Sequence, residues 1–339
     1  MVRKYLGRVI LGSIASTVLF FAAVTAEAGS PPKPPPPPPP PPPIPIVLVH
    51  GLFGGSKVYS PQLGLAWDYW WGIKADLESN GNVVYVPSIP AADDEIARGE
   101  RLIAYLEDKA AQYGYKKFNL IGHSQGGLSA RYAAHYRPGL IASVTTVGTP
   151  NYGSSVADWK RWLLDTQGDQ KWVQDIKSGA EQAATGAELA SGVRYPVNVI
   201  NALNQLTTDT VSNKFNRDKG EGKPTSYCGV GPEIASNGVR YYSFGGITPT
   251  WTPVTHLLDL GDWVMLNPDW PAWGWADVSG RNDGEVSQCS THWGVVMRDD
   301  FAWNHLDLVN QLWGLIPWFT GNPVEMYRNH VRFLRNRGM

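Results

Sequence analysis

The chain has 339 residues, 43% of them hydrophobic, and a formal net charge of -1. That length suits one large domain or at most two, and the near-neutral balance excludes a basic surface for nucleic acid. Composition does not place the 15 Trp, which suit either a core or an apolar outer face.

At the N-terminus, Arg3, Lys4 and Arg8 precede an apolar run from Val9 to Val24 and the triplet Ala26-Glu27-Ala28. This is the pattern of an export signal cleaved after Ala28. The run is short for a spanning helix and is interrupted by Gly12, Ser13, Ser16 and Thr17. Export puts Cys228 and Cys289, the only cysteines, in an oxidising compartment, where a lone pair bonds. Pro31, Pro32 and Pro34 to Pro43 form a proline tract that reads as an extended spacer without a packed core. The folded domain is predicted from about Ile44 onward.

Ile46-Val47-Leu48-Val49 reads as a central strand and runs into His50-Gly51-Leu52-Phe53-Gly54-Gly55. A helix is predicted from Tyr69 to Asn80, stopped by Gly81, and a strand over Val83 to Val86. Ile96, Leu102, Ile103, Leu106 and Ala110 recur at helical spacing within Glu95 to Tyr113, with Gly114 as the stop. Phe118-Asn119-Leu120-Ile121 reads as a buried strand and leads into Gly122-His123-Ser124-Gln125-Gly126. A helix follows from Gly127 to Tyr136, ending near Pro138, and then a strand from Ile141 to Val147. Strands alternating with helices mean an α/β chain, with a parallel sheet covered on both faces. The alternation stops at Asn151 to about Asn216, a polar, partly helical insertion that reads either as a lid or as an extra helical layer. Val239 to Phe244 reads as a strand, Trp263 to Trp275 is Trp-rich, and Val324 to Arg337 reads as a closing amphipathic helix.

The pentapeptide around Ser124 fits Gly-x-Ser-x-Gly, the nucleophile elbow, and its strand and helix flanks give that match weight. A sharp strand-to-helix turn pushes the serine out at the carboxyl end of the sheet, and glycines at the flanking positions remove the side chains that would collide there. A serine hydroxyl needs an imidazole to take its proton, and the imidazole needs a carboxylate to fix its tautomer. In α/β-hydrolases these follow in the order Ser, acid, His. His135 and His330 lie on predicted helices and read as surface or packing residues. His256 and His292 also follow the serine, while His305 lies in a loop predicted to open a helix. Asn282-Asp283-Gly284-Glu285-Val286 reads as a turn running into a strand, which places Asp283 at a sheet edge. Spacing alone leaves Asp259, Asp262 and Asp283 in competition for the acid.

In patches over most of the mature domain the sequence resembles the secreted bacterial triacylglycerol lipases of the Pseudomonas and Burkholderia type. The patches include Val47 to Gly54, Asp68 to Ile73, Arg98-Gly99-Glu100, Asn119 to Gly127, Ser143 to Pro150, Pro224 to Gly229, Gly238 to Ser243, Asn282-Asp283-Gly284, Arg298-Asp299-Asp300 and Asn304 to Gly314. The resemblance implies an α/β-hydrolase fold and a triad of Ser124, Asp283 and His305. It implies an oxyanion hole from the N–H groups of Leu52 and Gln125. It implies a structural Ca²⁺ held by the carboxylates of Asp259 and Asp307 and the backbone carbonyls of Gln311 and Leu315. By themselves Asp307 and Gln311 read as a polar helix face. The family also carries one disulfide, matching Cys228 and Cys289, and many members need a membrane-anchored foldase to mature.

The proline tract, the Trp-rich stretch and the charged character of Ala157 to Gly192 depart from the family pattern, whose lid has a strongly apolar helix. The expected activity is hydrolysis of triacylglycerol esters. The competing readings are a carboxylesterase acting on shorter or other bulky esters, and a non-catalytic binding module of the same fold.

Overall fold

Strand β1 (Ile46–Val49) is apolar at all four positions because both of its faces are covered. The computed structural model describes residues 43–247 and 281–339. The expected export signal, most of the proline tract, His256, Asp259, Asp262 and the Trp-rich stretch lie outside the described residues. After β1 comes a two-stranded antiparallel hairpin, β2 (Lys57–Ser60) and β3 (Leu65–Asp68), for which the sequence reading made no provision. Then follow α1 (Ile73–Ser79), β4 (Val84–Tyr85), α2 (Glu95–Tyr113), β5 (Phe118–His123), α3 (Gln125–Tyr136) and β6 (Ile141–Val147). The insertion contributes α4 (Ser155–Gln167), α5 (Lys171–Ala190) and α6 (Val199–Leu206), and β7 (Arg240–Gly246), β8 (Val295–Phe301) and a last helix (Pro323–Asn336) complete the described chain.

The main sheet has the order β4-β1-β5-β6-β7-β8, and every adjacent pair is parallel. Successive side chains of a strand point to opposite faces, and β1 shows the result. Val47 and Val49 pack with Leu102, Leu106, Leu128 and Ala133 of α2 and α3 on one face. Ile46 and Leu48 pack with Ile73 and Leu77 of α1 and with Tyr327 and Val331 of the last helix on the other. Parallel strands bring their carboxyl ends to one edge, and the turns after β1, β5 and β6 therefore gather there.

Three local expectations change. The helix predicted from Tyr69 begins only at Ile73, because Gly72 takes a left-handed conformation (φ 72°) and leaves Tyr69 and Trp70 in the bend between β3 and α1. Both side chains are buried toward the sheet rather than displayed on a helix. Asn282 to Val286 does not run straight into a strand: a bridge from Asn282 to Ser287 and a 3-10 turn, Gln288–Thr291, intervene before β8. The loop of His305 opens only a 3-10 turn, Asp307–Val309, since positive φ at Asn310, Leu312 and Trp313 stops any further helix. Cys228 and Cys289 are joined in a disulfide. Among the described residues no helix is long and apolar enough to cross a membrane.

Candidate active site

The corner between β5 and α3 is sharp. Ser124 sits at φ 53° and ψ -130°, a conformation costly for a residue with a Cβ. The surrounding backbone holds it there: Ser124 N–H donates to Val147 O at 2.9 Å, and Gly127 N–H donates to Ser124 O at 3.0 Å. The flanking glycines are needed because the chains nearly touch. A Cβ at Gly122 would lie 2.4 Å from Gly126 O, and one at Gly126 would lie 2.2 Å from Val49 O. Ser124 itself is half-buried at this edge.

Of the acids that compete on spacing, Asp283 is the one within the described residues, and its surroundings are those of an orienting carboxylate. It is fully buried. Its Oδ1 accepts from Glu285 N–H at 3.0 Å and Val286 N–H at 2.7 Å, while its Oδ2 faces His305 Nδ1 at 2.8 Å. A carboxylate only accepts, so Nδ1 carries the proton and Nε2 is left with the lone pair. A further bond, His305 N–H to Asp283 O at 2.7 Å, ties the two loops directly. Gly148, with φ 54° just beyond β6, leaves the room for this pair: a Cβ there would come within 3.1 Å of Asp283 Oδ2 and 3.4 Å of His305 Nδ1. Burial is the largest influence on His305 and disfavours its charged form, but the charge and hydrogen bond of Asp283, with Glu285 beyond, outweigh it and raise its pKa above the ordinary value.

The other described histidines have other partners. His292 lies between Gly229 O and Asp299, His135 meets Glu221, and His330 is buried in the core against Thr145.

Two histidines whose side chains the sequence reading gave no role build the frame of the site. His123, immediately before Ser124, packs its ring 4.6 Å from that of His305. His305 O can only accept, so His123 Nε2–H donates to it at 2.9 Å. His123 Nδ1 is then the acceptor of the Tyr69 O–H at 2.7 Å, and Tyr69 in turn accepts from Gly51 N–H at 2.9 Å. This buried chain connects the turn after β1, the elbow and the His305 loop. It needs a neutral His123, and burial, followed by the neighbouring His305, keeps the pKa of His123 well below normal.

His50 does the same for the next peptide. Its Nε2 accepts from Ile89 N–H at 3.2 Å, so its Nδ1–H donates to Gly51 O at 2.8 Å. Burial and then Arg98 hold its pKa down to about 3, so this tautomer is uncharged near neutrality. In a trans peptide N–H points opposite to C=O, so anchoring Gly51 O turns Leu52 N–H the other way. Arg98 also donates to His50 O at 2.6 Å, and Phe53 N–H donates to Ala91 O at 2.8 Å. Leu52 N–H has no hydrogen-bond partner among the described residues, nor has Gln125 N–H at the first turn of α3. The side chain of Gln125 is tied down separately, its Nε2 donating to Asp93 O at 2.8 Å. The only sequence signals for this frame were the His-Gly dipeptide, the His of the elbow and the Arg98 patch.

The residues implied for a cation fall on the loop after His305. Asp307 is buried, and its Oδ2 accepts from Asn304 N–H at 2.8 Å. Gln311 spends its side chain elsewhere, Oε1 accepting from Trp67 Nε1–H at 2.9 Å and Nε2 donating to Tyr69 O, so the donor it has to offer is its backbone carbonyl. Leu315, at the end of the left-handed run from Leu312 to Gly314, can offer only a carbonyl as well. Carboxylate and carbonyl oxygens fit a hard cation such as Ca²⁺. Among the described residues no group of three or more His, Cys, Asp or Glu gathers into a metal site.

The α/β hydrolase fold family matches residues 44–294. A triacylglycerol lipase of Vibrio cholerae is 40% identical over 306 residues, covering 87% of this chain and 88% of its own. A triacylglycerol lipase of Burkholderia plantarii is 36% identical over 365 residues, covering 98% of this chain and 97% of its own. The crystal structure of Staphylococcus hyicus lipase shares the fold, with a TM-score of 0.52 at 16% identity over 87% of this chain and 97% of that one. With its parallel sheet, nucleophile-type elbow and these relatives, the chain belongs to the α/β-hydrolase fold family and, within it, to the bacterial triacylglycerol lipases.

Proposed function

We propose that the enzyme hydrolyses the carboxylic ester bonds of triacylglycerols through an acyl-enzyme on Ser124. His305 Nε2 takes the Ser124 hydroxyl proton as Oγ attacks the ester carbonyl carbon. The oxyanion that forms is stabilised by Leu52 N–H and Gln125 N–H. The intermediate collapses as His305 returns the proton to the leaving glycerol oxygen. Water then attacks the acyl-enzyme by the same route and releases the fatty acid. Asp283 keeps Nδ1 protonated and stabilises the imidazolium that appears in each half. The observation that carries this reading is the buried carboxylate of Asp283, with one oxygen held by two N–H groups and the other aimed at His305.

The test is turnover of p-nitrophenyl esters of rising chain length and of emulsified triolein, by the enzyme and by Ser124→Ala. Loss of both activities in the variant is the expected result. A second reading, a carboxylesterase on shorter esters, is favoured by the ion pairs on the insertion, Arg161–Asp165, Lys171–Asp175 and Lys177–Glu181, which make its outer face charged. High activity on p-nitrophenyl butyrate with none on triolein would select it. We further propose that Asp259, Asp307, Gln311 and Leu315 hold a Ca²⁺ that joins two stretches of chain and takes no part in the chemical step. Secretion after cleavage at Ala28, the proline tract as a spacer and maturation by a foldase complete the proposal.

A further inference from the structure

Helix α5 of the insertion carries a carboxylate where physical chemistry disfavours one. Glu188 lies in the last turn, at the negative end of the helix dipole, and is only 2% exposed. Among the described residues no Lys, Arg or His lies within ion-pair distance of it. Two backbone donors hold it instead: Ala91 N–H to Oε1 at 3.1 Å and Tyr195 N–H to Oε2 at 2.6 Å. Both bonds are charge-assisted, and a neutral side chain of the same size could not make both.

Ala91 is the centre of a segment on which both sides of the oxyanion hole converge. Ala91 O accepts from Phe53 N–H at 2.8 Å, next to Leu52. Asp93 O accepts from the Gln125 side chain at 2.8 Å. Pro90 O accepts from Arg98, which also holds His50 O. The insertion grips the segment at two further points, Asn198 N–H to Ala92 O at 2.7 Å and Asn201 Nδ2 to Asp93 Oδ1 at 3.2 Å. Leu52 and Phe53 also pack on Ala91, Ala92, Ala184 of α5 and Ala202 of α6.

We propose that Glu188 is a positioning residue for ester hydrolysis: through Ala91 it holds residues 90–93 against the oxyanion loop. The proposal rests on Leu52 and Gln125 as the oxyanion donors. Glu188 touches no substrate. Its influence falls on the charge that develops at the carbonyl oxygen, and therefore on the transition state more than on ester binding.

The test compares Glu188→Gln with Ser191→Ala. The glutamine keeps the shape but sets an amide N–H₂ against one of the two backbone donors. Ser191 anchors the same end of α5 through a different contact, Lys57 N–H to Ser191 Oγ at 3.0 Å, with no bond to residues 90–93. Each variant is measured for kcat and KM on p-nitrophenyl butyrate, for melting temperature, and for inhibition by butylboronic acid, whose tetrahedral adduct on the serine puts an oxygen in the hole. Glu188→Gln should lower kcat and boronic acid affinity together by roughly tenfold, with KM little changed. Ser191→Ala should lower the melting temperature and leave both readouts near wild type. If Glu188→Gln does not accumulate as folded protein, the same comparison is made on Glu188→Asp. The proposal is overturned if kcat and inhibition stay at wild-type values, or if both variants lose them equally. Turnover by Ser124→Ala, or a wild-type enzyme blind to the boronic acid, would instead overturn the site reading beneath it.

Discussion

The proposed nucleophile and the proposed acid–base pair stand at the same edge of the sheet but are held in different ways. Ser124 is set by its immediate neighbours: the end of β5, the start of α3 and two glycines that let strand and helix backbones almost touch. Asp283 and His305 lie on loops with little regular structure, fixed by contacts from far along the chain. These are the bond between the two loops, the bond from His123 to His305 O, the disulfide near Asp283, and the grip of Trp67 and Tyr69 on Gln311. Damage at the elbow should therefore cost chemistry without stability. Damage around the acid–base loops should cost stability, and chemistry through it.

The largest effect expected is that of Ser124→Ala. Removing the nucleophile of a triad costs roughly 10⁴ to 10⁶ in rate, and the variant should melt where the parent does, because the backbone that holds the corner is unchanged. A variant keeping a tenth of the activity would break the comparison on its first side. His305→Ala should match the loss.

Asp283→Asn should lose somewhat less, and it also moves the pH profile. His305 acts as a base only when neutral, and Asp283 raises its pKa, so wild-type activity falls as pH drops through a value above that of an ordinary histidine. Without the carboxylate charge the acid limb should shift to lower pH at a much reduced plateau. An acid limb that stays in place would show that Asp283 does not govern His305.

On the other side, the disulfide closes a loop with a sequence separation of 61. Chain-entropy reasoning gives it about 4 kcal/mol, and measured losses fall near 2–4 kcal/mol. Replacing both cysteines with Ala should lower the denaturation midpoint accordingly while turnover per folded molecule stays close to wild type. Thiol titration of the exported, denatured protein should find free thiol only after reduction.

Chelation of the proposed Ca²⁺ comes next. Binding to the folded state alone contributes about 2.7 kcal/mol when free ion is a hundred times the dissociation constant. Melting temperature should fall on chelation, and Asp307→Ala or Asp259→Ala should no longer respond to added ion. Equal melting with and without chelator would return these residues to ordinary loop polarity.

The smallest effect concerns the insertion. Trp162 on α4 is 55% exposed, whereas Trp159 is partly buried against Val156. Removing an exposed indole should cost on the order of 1 kcal/mol of apolar contact with an oil phase, about fivefold in activity on emulsions. Dissolved esters should be spared by Trp162→Ala. Parallel losses on both substrates would make α4 a structural layer only.

Much of the fold was legible from the chain alone, where the signal is local. Apolar runs of four to seven residues between helical periodicities gave the strands β1, β5, β6 and β7, and Gly114 ended α2 in the left-handed conformation that glycine favours. The elbow was legible for the same reason, since its strain and its glycines lie within five residues. The hairpin β2–β3 escaped because its strands are short, β2 half-buried and β3 mostly exposed, without an alternating apolar pattern. Spacing left the choice of acid open, and the family resemblance alone named Asp283, because what marks that residue is two N–H donors and a histidine 22 residues away, which spacing does not encode.

What the sequence determined by itself was thus the alternation that makes a parallel sheet, the corner that exposes Ser124, and the two cysteines available to bond. What only the tertiary structure decided was which buried groups meet there: Tyr69 with His123, His50 with Gly51, and Glu188 with Ala91 across 97 residues. The physical reason is range. Backbone strain and periodic burial are properties of a few consecutive residues. A hydrogen bond to a buried carboxylate depends on where folding carries the chain, and its donor is a main-chain N–H that every residue except proline possesses.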